Sequence, residues 1–76
     1  MTPEALRQAL AELKGSRTAT FAFEGPREPT LTVHNAMLVP DEPDHLVKLT
    51  DGQSIFIIDA ERVAWVRIGT KHDLNA

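Results

Sequence analysis

Residues 55–69 read IFIIDAERVAWVRIG, two apolar, β-branched runs held apart by the short polar insert Asp59-Ala60-Glu61-Arg62. Side chains of this type favour strands, and a four-residue insert leaves room for only a single turn between them. Ile55, Phe56, Ile57 and Ile58 are apolar without alternation, the pattern of a strand buried on both faces. The second run alternates, with Ala64, Val66 and Ile68 on one side and Val63, Trp65 and Arg67 on the other. Neither run carries the proline or lysine that commonly shields a sheet edge. Two such strands need cover, and the rest of the chain must supply it or a second molecule must.

The chain has 76 residues, 42% of them apolar and 25% charged, which fits a folded globular domain. Residues 1–70 are expected to form one domain and 71–76 a tail. A domain this small buries only about 60% of its unfolded surface, so its core is marginal without a staple. With no cysteine, neither a disulfide framework nor a thiolate metal site can serve. Oligomerisation is the remaining device.

Thr2-Pro3-Glu4 opens a helix, with a capping hydroxyl, a proline of fixed φ and an acid at the positive helix end. Ala5, Leu6, Ala9, Leu10 and Leu13 recur at helical spacing, and Gly15 is placed to end the helix, which predicts a helix over 3–14. The period then changes to two. Ala19, Phe21 and Phe23 predict a half-buried strand over 17–24, and Gly25-Pro26-Arg27-Glu28-Pro29 a turn. Leu31, Val33, Asn35, Met37 and Val39 predict a long second strand, followed by the loop Pro40-Asp41-Glu42-Pro43-Asp44. A third strand over 45–50 ends in the Asp51-Gly52 turn, and strands over 54–58 and 63–68 complete the set. The expected fold is mainly β with an N-terminal α-helix. Its five short antiparallel strands bend strongly into a small barrel, because open edges are otherwise left exposed.

The net charge of −3, with Lys and Arg scattered along the chain, argues against a phosphate-binding surface. No apolar run approaches the roughly 20 residues needed to cross a bilayer, and no signal-peptide core is present, so a cytoplasmic location is expected. Asp41, Glu42, Asp44 and His45 bring together oxygen and imidazole ligands that suit a divalent ion, although a carboxylate-rich loop is more often simply solvated. His34 reads as a surface residue. Ser16 and Ser54 have no His and Asp at motif spacing, and the glycines form no phosphate cradle. Neither an enzyme, a cofactor nor a metal is expected.

This order of elements resembles the Sm-like family: an N-terminal helix, five bent strands and a one-turn linker between strands four and five. Asn35, Met37, Asp41 and His45 fall at the spacing of the first Sm motif, followed by the alternation Val47, Leu49. Asn35 takes the place of a bend glycine, and His45 that of an asparagine that reads a uracil edge. The stretch around Asp59 is similar in shape to the second motif, but Ile58 and Asp59 stand where the family has an RNA-contacting Arg-Gly or Lys-His pair. The resemblance implies pairing of strand four with strand five of the next subunit, with Ile55, Ile57, Ile58, Val63, Trp65 and Arg67 as candidate interface residues. It implies RNA contacts at Asn35, Asp41 and His45, which an aspartate at the phosphate position opposes. The expected function is a homo-oligomeric assembly module. The alternatives are a single-stranded RNA binder and a monomer that takes a protein partner by strand addition.

Overall fold

The computed structural model describes residues 1–27 and 29–71; Glu28 of the first turn and residues 72–76, most of the expected tail, including His72, lie outside the described residues. The order is α1 (Pro3–Leu10), β1 (Lys14–Phe23), β2 (Thr30–Leu38), β3 (Val47–Thr50), β4 (Ile55–Ile58), the 3-10 turn η1 (Ala60–Arg62) and β5 (Val63–Ile68). The strands form one antiparallel sheet in the order β4-β3-β2-β1-β5. This sheet is not closed: among the described residues β4 and β5 do not pair with each other, and each has a strand neighbour on one side only.

Helix α1 begins as its sequence dictates. The Thr2 hydroxyl accepts the Ala5 amide at 3.1 Å, Pro3 fills the first helical position, and Leu6 and Leu10 are fully buried. The helix stops at Leu10 rather than at residue 14. Ala11 closes it, Leu13 donates its amide to the Leu10 carbonyl, and Leu13 still enters the core through that tighter turn. Strand pairing wins over helical propensity here, because Lys14 is already opposite Met37 of β2. Gly15, with φ of +91°, therefore lies at an irregularity in β1 and not at the helix end.

β1 lies between β2 and the edge strand β5. Ala19, Phe21 and Phe23 face the helix side, where the two phenylalanine rings stack at 6.4 Å. Thr20 and Ala22 on the other side are buried as well. They are small residues, with Ala22 between the larger Thr30 and Trp65, and Thr20 between Thr32 and Arg67.

In β2 the expected alternation fails halfway. Val33 is buried, but Asn35 adopts a left-handed conformation, φ 51°, and beyond it Ala36 is buried while Met37 is 48% exposed. One left-handed residue acts as a bulge and transfers the inward face from odd to even positions. β3 starts at residue 47 rather than 45, because His45 is also left-handed (φ 57°) and Asp44 caps the turn through its carboxylate to the Leu46 amide, 3.1 Å. In β5 a register shift places Val63 inward with Val66 and Ile68 and turns Ala64 outward, the reverse of strict alternation for Val63 and Ala64.

The core gathers Leu6, Leu10 and Leu13 with Phe21, Val33, Val47, Leu49, Ile58 and Val63, and α1 packs against β2, β3 and η1. Among the described residues no helix is long and apolar enough to cross a membrane.

Candidate functional site: the two open sheet edges

β4 is held only by β3, through Val47–Ile58, Lys48–Ile57, Leu49–Phe56 and Thr50–Ile55. Its burial alternates, unlike its sequence. Ile58 is buried and Phe56 is half-buried against the core, but Ile55 and Ile57 are 58% and 63% exposed. Burial on both faces is thus not achieved within the chain. The register continues this apolar surface inward, since Ile55 lies opposite Thr50, which lies opposite Met37.

At the other edge, β5 presents Trp65, 49% exposed, and Arg67, also exposed, on the outer face. Val66 and Ile68 are half-buried on the inner face. Both edges therefore show the same pattern: exposed side chains outside and incompletely covered apolar side chains inside. Of the six expected interface residues, Ile55, Ile57, Trp65 and Arg67 lie exposed at these edges, whereas Ile58 and Val63 belong to the chain's own core. Sequence alternation alone does not single out Met37 and Leu46, at 48% and 47% exposure; Met37 becomes visible only once the left-handed state of Asn35 is known.

The residues that the Sm-like resemblance assigns to RNA are only partly brought together. Asn35 sits at the bend of β2. Asp41 and His45 meet in the loop before β3 with Nδ1–carboxylate distances of 3.4 Å. A cleft of about 330 Å³ is lined by His45 and Leu46 from this loop, Ile57 and Ile58 from β4, and Asp59 and Glu61 around η1. Asp59 and Glu61 enter no salt bridge among the described residues. Its ionised rim is anionic, which repels phosphate.

The acid loop is tied to α1 and β3 by ion pairs. Asp41 pairs with Arg7 of α1 at 3.0 Å, and the same guanidinium donates to the Leu46 carbonyl at 2.9 Å. Lys48 pairs with both Glu42 and Asp44 at 2.7 Å. The Lys48 ammonium hydrogen bond holds the Asp44 carboxyl below its ordinary value, aided by the Leu46 amide, and Asp44 and then Glu42 raise Lys48 in return. Among the described residues no set of three His, Asp or Glu side chains is placed to hold a metal ion. Asp44 and Lys48 are four residues apart, a spacing that makes this pairing readable in retrospect. The Arg7 contact joins distant parts of the chain and leaves no local signature. His34, on the outer face of β2, contacts the Thr18 hydroxyl at 3.1 Å.

No family model, curated protein or solved structure matches this chain.

Proposed function

We propose that the protein is a small, non-enzymatic assembly module that joins copies of itself by strand addition, β4 of one copy pairing with β5 of the next. The observation that carries this reading is the pair Ile55 and Ile57, 58% and 63% exposed on an edge strand with a free side. An unpaired, apolar edge without proline or lysine invites another strand, and a 76-residue core gains from the added burial.

The two edges are compatible face by face. In an antiparallel addition that sets Ile57 beside Trp65, Ile55 falls beside Arg67 on the outer face and Phe56 beside Val66 on the inner face. Half-buried Phe56 and Val66 would then complete each other's cover. The resemblance to the Sm-like layout supports the same pairing, as do the sheet order β4-β3-β2-β1-β5, the turn between β4 and β5 and the left-handed bend residue at Asn35. In this reading the bent sheet reaches barrel-like closure only with a neighbour's strand.

A second reading, RNA binding, is favoured by one observation: His45 and Asp59 share a cleft, as the resemblance would place base and phosphate contacts. The acidic rim and the net charge of −3 per chain rank it below self-assembly.

Multi-angle light scattering tests the proposal. The expected result is an oligomer for the natural sequence and a shift toward monomer for Ile57→Lys, with the far-ultraviolet circular dichroism retained. A monodisperse monomer at high concentration overturns self-assembly and leaves strand addition to a different protein as the reading to pursue.

A further inference from the structure

On the outer face of the sheet, away from the helix, Ala22 of β1 lies between Trp65 of β5 and Thr30 of β2. A small residue between two larger ones leaves a trough. Together with Glu24, Gly25 and Ala64, these residues line a cleft of about 360 Å³. That is the small end of ligand sites, roughly 300–1,000 Å³, and suits one side chain or a small organic ion. The floor is Ala22, 5% exposed, and the wall is an indole with half its surface free.

Among the described residues, Glu24 is the only ionisable one lining the trough. Its amide is engaged, donating to the Arg62 carbonyl at 2.7 Å, which fixes the backbone from which its carboxylate projects. That carboxylate makes no salt bridge with any described residue. An indole face attracts cations through its quadrupole, and a carboxylate accepts strong charge-assisted hydrogen bonds from them. The guanidinium group satisfies both at once, since it stacks flat on an aromatic ring and donates in a planar fork. Arg67 is in the adjoining row, opposite Thr20, about 7 Å along the strand from Trp65. Its charge directs a bound cation toward the Glu24 end.

We propose that this trough is a binding site for an organic cation of the guanidinium or alkylammonium class, stacked on Trp65 and paired with Glu24. The floor of the trough is on β1, one strand in from the free edge, while its wall, Trp65, stands on the edge strand β5, where strand addition would set a neighbour's Ile57 beside it. Glu24 is not among the edge residues that strand addition engages, so Glu24→Gln should leave the oligomer mass unchanged.

Trp65 is the sole tryptophan, so its fluorescence reports on this site directly. The probe is acetyl-Gly-Arg-Gly-amide, compared at matched ionic strength with the Gln and Glu versions of the same peptide. The expected result is a saturable change with the arginine peptide and about tenfold weaker binding, or less, with the glutamine peptide. Glu24→Gln should weaken the arginine peptide by a similar factor, the scale of a lost hydrogen bond to a charged group. Methylguanidinium as effective as the peptide identifies a free organic cation as the ligand; a clear preference for the peptide identifies a partner's arginine. Either upholds the site. No saturable response, an equal or stronger response to the glutamate peptide, or undiminished binding to Glu24→Gln overturns it. Trp65→Leu, followed through the Gly25 amide in nuclear magnetic resonance spectra, gives a second check and should also weaken binding.

Discussion

Asn35 shows how much one backbone conformation can decide. At φ 51° it occupies a region that most side chains avoid but asparagine tolerates. The bend it makes places Ala36 in the core and Met37 outside. Replacing it with a β-branched residue should strain the bend: Asn35→Val is expected to cost about 1–3 kcal/mol in urea unfolding. Asn35→Gly should be tolerated, since glycine adopts this conformation without a Cβ penalty. Equal stability of Asn35→Val and the natural sequence would show that the bend does not depend on residue type.

At the scale of elements, α1 and the loop before β3 act as two fasteners on the same side of the sheet. Leu10 is fully buried beneath the helix, so Leu10→Ala should destabilise by about 2–5 kcal/mol, from lost transfer energy and the cavity left behind. Thermal unfolding followed by circular dichroism checks this, and an unchanged midpoint would make the helix peripheral. The loop fastener is electrostatic and hence pH-dependent. Asp44 is held below its ordinary value of 3.8 mainly by Lys48, so its folded pKa lies beneath its unfolded one. Its stabilising effect is complete above the unfolded value and is lost as pH falls through the folded one. Stability should therefore decline as pH drops below about 4, and Asp44→Asn should flatten that decline. Lys48 works in the opposite direction: its pKa is raised above 10.5, so its contribution is complete below that value and fades only at higher pH. A chemical-denaturation series across acid pH measures the first limb.

At the scale of the whole molecule the open sheet and the acidic charge lead to separate expectations. Self-assembly through the edges should be reduced by Ile55→Lys as well as Ile57→Lys, because a charge on an apolar edge opposes strand addition. RNA binding should be feeble. Base stacking contributes about 1–3 kcal/mol per base, which does not readily offset bringing a polyanion to a chain of net charge −3. We expect no oligo-U or oligo-A binding tighter than about 10 μM at physiological salt, where each phosphate contact is already weakened by counterion competition. Fluorescence anisotropy with labelled RNA decides it: a submicromolar isotherm that disappears in His45→Ala would place RNA binding first.

Local chemistry by itself determined the capped start of α1, the existence and order of the five strands, the Asp51-Gly52 turn and the bounds of β5. Each depends on neighbours within a few residues, where cap, period and turn preferences act. The Asp51 carboxylate, for example, accepts both the Gln53 and Ser54 amides at 2.8 Å. Tertiary structure decided where α1 ends, because pairing of Lys14 with Met37 competes with another helical turn. It decided which side chains point inward after Asn35 and around Ala64, because a single bulge reverses every later position of a period-two pattern. It also decided that the acids of the loop before β3 are spent on Arg7 and Lys48, and that Trp65 lies opposite Ala22 and lines one cleft with Glu24. These contacts join residues far apart in the chain. Composition and spacing encode which elements form, but only the sheet register determines which distant side chains meet.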